Sequence, residues 1–167
     1  MIAALLFGML AVGQVLTVGP GGRVHRTSAL TKSERAILLP ALQDSVGDHN
    51  PDLLASFSIF EEPLSRTGIQ AIIAISVKNC GVHGNCPFLV FRQKGSVDVP
   101  ILNSVAGDWD LKDTRHHTYR DIVLTNYQGI HQVITTWQFD GQTYRVSTCI
   151  GRTANTQKKL PVSECGF

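Results

Sequence analysis

The sequence predicts an α+β fold: an N-terminal helix packed on a mostly antiparallel β-meander sheet of about six to seven strands. Three observations predict it. TKSERAILLPALQDSVGD carries apolar residues at helical spacing between a start signal and a stop signal. From Leu53 to Ile150 the chain is a succession of short runs rich in β-branched and aromatic residues. The breaks between those runs are short, and short connections make sequential strands antiparallel neighbours.

The elements follow in order. No charged side chain precedes Arg23. The apolar run Ile2 to Val12 is shorter than the roughly 20 residues that span a bilayer, and it fits a signal-peptide h-region. Ala11 and Gly13 form an A-x-A-like pair, so cleavage after Gly13 is expected. A basic n-region is missing, and no cysteine follows the run as in a lipoprotein signal. This divides the chain into a signal peptide over 1–13, a flexible glycine-rich leader over 14–30 and one domain over 31–167. The expected location is periplasmic or secreted, with no stable membrane insertion once the signal is removed.

In the helical stretch, Thr31 and Glu34 form a capping box. Ile37, Leu38, Ala41, Leu42 and Val46 recur on one face. Pro40 is expected to kink the helix or divide it. Gly47 is a natural stop. The strands are expected within LLASFSIFEE, IQAIIAISV, FLVFRQ, VDVPILNSV, YRDIVLTN, HQVITTWQF and QTYRVSTCI. IIAISV is nearly continuous in apolar residues and should be central, covered on both faces. Asp140-Gly141 predicts a tight hairpin with positive φ at both centres.

Composition excludes some functions. Lys plus Arg is 15 and Asp plus Glu is 13 in 167 residues, a net charge of +2. That balance has no electrostatic footprint for nucleic acid and no polybasic patch for a membrane surface. The mean hydropathy of +0.05 fits a globular chain. Four cysteines, an even number, fit an oxidising compartment. They allow three pairings, of which Cys80–Cys86 with Cys149–Cys165 closes the smallest loops.

A weak internal repeat runs through the strands. IQAIIAIS leads to FLVFRQKGSVDV, and YRDIVLTN leads to TTWQFDGQTYRV, at an offset of about 46–50 residues. The first copy carries an added CGVHGNC loop. Cys80, Gly81, Gly84, Cys86 and Pro87, followed by YRDIVLTN and WQFDGQTY, resemble poorly characterised bacterial secreted proteins with FG-GAP or VCBS-like β-repeat units. The resemblance covers about residues 69–150. Such repeats carry a calcium loop of alternating Asp and Asn; here SRTGI and TRHHT stand at those positions, so no calcium is implied.

NCGVHGNCPF, residues 79–88, admits three readings. Cys80, His83 and Cys86 are soft ligands, but a closed zinc site wants four. A nucleophilic cysteine with His83 as base lacks a third orienting group. A disulfide staple needs only Gly81 and Gly84 to turn the loop, and it would hold His83 and Asn85 as a rigid recognition element. The second candidate is GDWDLKDTRHHTYRD, residues 107–121, expected as a solvated loop. Asp108, Asp110, His116 and His117 are potential ligands, although adjacent histidines on an extended strand face apart. Trp109 is either a core anchor or a contact platform. Trp137 and Phe139 alternate onto one, core-facing, side of a strand. None of the familiar nucleophile-elbow, zincin, P-loop or dinucleotide motifs occurs.

The reading is an exported, non-enzymatic binding module acting through its disulfide-stapled loop, without a cofactor. Its expected partner is a protein, such as a cell-wall enzyme that it inhibits, or an envelope glycan. The binding surface would combine His83 and Asn85 with Asp108, Trp109, Asp110, His116 and His117. The rival is a small metal-dependent hydrolase using His83, His116 or His117 with Asp108 or Asp110.

Overall fold

Thr31 starts the one long helix among the described residues. Its Oγ1 accepts from the Glu34 amide at 3.3 Å, and the Thr31 amide donates to Glu34 Oε2 at 2.6 Å. These bonds satisfy amide groups that the first helical turn leaves orphaned, and the Thr31 hydroxyl and amide, both donating to Glu34 Oε2, hold the Glu34 carboxyl below its ordinary range. In the computed structural model, which describes residues 16–18, 24–26, 30–66, 70–94 and 97–165, α1 spans Lys32–Val46. It runs through Pro40 without dividing and ends at Gly47, whose φ of +69° is the left-handed geometry a glycine stop supplies. Leu38 and Leu42, one turn apart, are fully buried.

The expected signal peptide, 1–13, lies outside the described residues. Inside the stretch expected as a leader, β1 (Leu16–Val18) and β2 (Val24–Arg26) pair as a small antiparallel hairpin. After α1, a short 3-10 turn at Leu53–Ser56 replaces the beginning of the strand expected there. Then follow β3 (Phe57–Pro63), β4 (Gln70–Ser76), β5 (Cys86–Lys94) and β6 (Val97–Ala106). They continue as β7 (Asp108–His116), β8 (Tyr119–Gln128), β9 (His131–Phe139), β10 (Tyr144–Arg152) and β11 (Gln157–Leu160).

These strands do not form the single sheet of six or seven that their sequence pattern suggests. They form two antiparallel sheets, β3-β4-β5-β6 and β11-β10-β9-β8-β7. The division falls at Gly107. β6 ends in the first sheet at Ala106 and β7 begins in the second at Asp108, so one residue carries the chain between sheets. A Cβ on Gly107 would overlap the Tyr127 ring, so the crossing needs glycine. The internal repeat corresponds to this division: β4–β6 and β8–β10 are equivalent meanders, one in each sheet.

The molecule is therefore layered as helix, four-stranded sheet and five-stranded sheet. Between the sheets lie Phe60, Ile73, Phe88, Trp109, Ile122 and Trp137. On the other side of the first sheet, Leu38, Leu42, Leu53, Ala74, Leu89 and Phe91 join it to α1. β4, flanked by β3 and β5, feeds both cores, which is why IIAISV is apolar at nearly every position. The tail returns as β11 beside β10, and Cys149–Cys165 ties it there over Val133.

Candidate functional site

The stapled loop is built from the bottom by its own sequence. Cys80 and Cys86 are joined. Between them the Gly84 amide donates to the Gly81 carbonyl at 2.8 Å, closing a β-turn over Val82 and His83, with Gly84 at φ +77°. The Gly81 amide donates to the Asn85 carbonyl at 2.8 Å. Asn85 then fastens the loop to the other sheet. Its Nδ2 donates to the Tyr127 carbonyl at 2.8 Å and its Oδ1 accepts from the Tyr127 amide at 2.8 Å. A side-chain amide thus takes the place of a strand partner for one residue of β8. Asn85 is a clamp rather than a free contact, and His83 stands exposed above it.

This clamp brings together parts of the chain that the sequence keeps apart. Tyr127 is two residues from Gly129, whose φ of +63° forms the β8–β9 turn with Ile130. Val82 at the stapled tip is 97% exposed, and Ile130 in the turn is 84% exposed. Val105 on β6, beside Pro87 in register, and Val77 at the end of β4 are exposed as well. Four large aliphatic side chains therefore project from one end of the sandwich. Burial and the Asp108 carboxylate push the Tyr127 hydroxyl above its ordinary range.

The second predicted segment divides between the two ends. Asp108 begins β7 opposite Thr125, close to the stapled loop, and caps the Trp109 amide at 2.9 Å. Asp110 pairs with Lys112 at 3.0 Å. Trp109 is the core anchor: it is 5% exposed and packs edge-on against Phe60 at 5.5 Å between ring centres. It lies off the surface, so the expected contact set loses its central aromatic. The segment expected as a loop is a strand, because Trp109 and Leu111 face the inter-sheet core and pull the backbone into register with β8. His116 and His117 lie at its far end, about 20 Å from Asp108 when counted along β8 from Thr125 to Tyr119 at the rise of an extended strand.

At that far end the residues form their own small cluster. A bulge at Lys112–Thr114 interrupts the pairing of β7 with β8. Arg120 donates to the carbonyls of Leu111 and Lys112 at 2.9 and 2.8 Å, and so satisfies backbone groups the bulge leaves unpaired. The Asp121 carboxylate, 2% exposed, takes Thr114 Oγ1 at 2.7 Å and His116 Nδ1 at 2.7 Å. His117 and Thr118 then turn the chain with φ of +46° and +72°. The two-residue turn expected at Asp140-Gly141 is thus found here, on residues that adopt it at a cost. Asp140 instead opens a four-residue loop, accepting from the Gln142 and Thr143 amides at 2.8 Å.

His83 and the His116–His117 pair therefore occupy opposite ends, and Asp108 and Asp110 do not meet either histidine of the pair. Among the described residues no three of His, Cys, Asp and Glu are grouped to hold a metal ion. Sequence reasoning missed Ile130 and the partnership of Asn85 with Tyr127, whose nearest signal was the glycine at 129. It also missed Asp121, which reads in sequence as one more residue of a strand. No helix among the described residues is long and apolar enough to cross a membrane. The chain matches no protein-family model, no curated protein and no solved structure with which it was compared.

Proposed function

We propose that this protein is an exported binding module that engages a protein partner through the end of the sandwich bearing Val82, His83 and Ile130. One observation carries the reading. The two hydrogen bonds from Asn85 to Tyr127 fix the stapled loop on β8, so that the loop and the β8–β9 turn present exposed aliphatic tips on one rigid platform. Ordering a loop before binding removes an entropic cost of about 0.5–1.5 kcal/mol per immobilised side chain. Contiguous exposed apolar groups are what an interface buries. The loop tips project from the end of the sandwich, and a protein cleft, as in a cell-wall enzyme, is the partner we propose for them. The FG-GAP or VCBS-like resemblance is part of the same proposal, since it implies a secreted β-repeat protein.

Export is supported by the apolar start, by two disulfides and by an even cysteine count. Fractionation of a bacterial host expressing the whole chain tests it. Mature protein in the periplasm, with mass falling by the signal peptide and rising by four hydrogens on reduction, is the expected result. Retention in the cytoplasm with free thiols would sink the export reading. For binding, cross-linking from a photoreactive residue at position 82 should capture one partner, and Val82→Asp with Ile130→Asp should abolish capture. Equal capture by that double variant would refute the surface.

A further inference from the structure

A groove of about 980 Å³ runs between α1 and the second sheet, along β6, the last strand of the first sheet. Its walls are largely apolar: Ile37, Pro40 and Ala41 from α1, Ile101 from β6, and the Trp137 ring from β9. That volume is in the range of small-molecule sites. Against these walls stands one deeply buried charged group. Asp98, on β6, is 3% exposed. No hydrogen-bond donor among the described residues reaches its carboxylate. The charged group beside it is Glu34, a second acid, already engaged by Thr31. Asp44 lines the same groove. Arg145, also in the lining, is turned to Asp140 at 3.3 Å.

Pro40 adds another acceptor. A proline in a helix lacks the amide that would bond the carbonyl four residues earlier. That carbonyl belongs to Ala36, which lines the groove with Pro40. Thr143 Oγ1, in the lining too, is buried without a partner.

We propose that this groove is a binding site for a small organic cation, a protonated amine or guanidinium on an apolar skeleton, with Asp98 as its counter-ion. The apolar skeleton lies against Ile37, Ala41 and Trp137, and the cationic head supplies N–H donors to Asp98 and to the Ala36 carbonyl, which has no Pro40 amide to accept from. A carboxylate buried without a donor is costly to the fold, and a site that keeps one is spending stability on recognition. Desolvation and Glu34 push the Asp98 carboxyl above its ordinary range, as expected of a carboxylate waiting for a cation. The site is separate from the stapled-loop end and does not depend on the reading proposed for that end.

The test is an NMR titration of the oxidised full-length protein with hexylamine, hexanol and hexanoate, followed at the Trp137 indole and the Ala41 amide. Hexylamine should shift both and bind about tenfold or more tightly than hexanol, with hexanoate weaker still. Asp98→Asn should bring hexylamine down to the level of hexanol while far-UV circular dichroism stays native. Equal affinity for amine and alcohol, or unchanged amine affinity in the folded Asp98→Asn variant, would overturn the proposal. So would the absence of any Trp137 shift at the solubility limit of the amine.

Discussion

Replacing Asn85 with alanine tests the joint on which the proposed binding end depends. The substitution removes two hydrogen bonds of 2.8 Å and leaves the amide and the carbonyl of Tyr127 without their partner. A hydrogen bond contributes about 0.5–1.5 kcal/mol net, so the pair is worth about 1–3 kcal/mol. For a chain of this length each kcal/mol moves the melting temperature by about 2–4 °C. Asn85→Ala should therefore melt about 2–12 °C lower than the parent. Hydrogen exchange at the Tyr127 amide should accelerate at the same time, because water replaces Oδ1. Asn85→Asp is the control: it keeps the acceptor for the amide but sets a carboxylate against the Tyr127 carbonyl, and should also be destabilised. An unchanged melting temperature with unchanged protection of Tyr127 would refute the clamp. The stapled loop would then have to be treated as independent of β8.

Three further outcomes are expected. Gly107→Ala should lose about 1–3 kcal/mol, because the new methyl overlaps the Tyr127 ring at a position where the backbone crosses between sheets; denaturant melts check it. Trp109→Ala should cost about 3–5 kcal/mol, whereas Val82→Asp should leave stability within about 0.5 kcal/mol, which separates the core aromatic from the surface aliphatic. Asp98→Asn should stabilise the protein by about 1–3 kcal/mol at neutral pH. The folded-state pKa of Asp98 is raised, so its ionisation burdens the fold at every pH above that value. The burden fades as the pH falls through the raised pKa toward the unfolded value, so the gain in Asp98→Asn should shrink in acid. A stability advantage independent of pH would contradict the raised pKa.

Much of the local structure was legible in the residues themselves. Thr31, Glu34 and Gly47 bound α1 because caps are short-range hydrogen-bond chemistry, readable three residues at a time. The seven strand runs and the Asp140-Gly141 break were likewise legible, since alternation and turn preference are local. Of the three pairings open to the four cysteines, the one found closes the smallest loops. The candidate site was legible only in half: the stapled loop carries its own signature, but the partner surface does not. Trp109 shows why. Amid Asp108, Asp110 and Asp113 it reads as a loop aromatic, yet its ring area drives it between the sheets and makes its neighbours a strand.

Short stretches of sequence carried α1, the seven expected strand runs and the antiparallel order of chain neighbours, because each rests on interactions between residues close in the chain; β1, β2, β7 and β11 fall outside those runs. The division of the strands into two sheets at Gly107, and the meeting of Asn85 with Tyr127, 42 residues away, exist only in the folded chain. The fold also sets His83 and His116 at opposite ends, and it buries Asp98 in the wall of a groove where no described residue donates to it. Those outcomes come from packing two apolar faces against each other over many residues. That burial is a collective quantity, and no short window of sequence contains it.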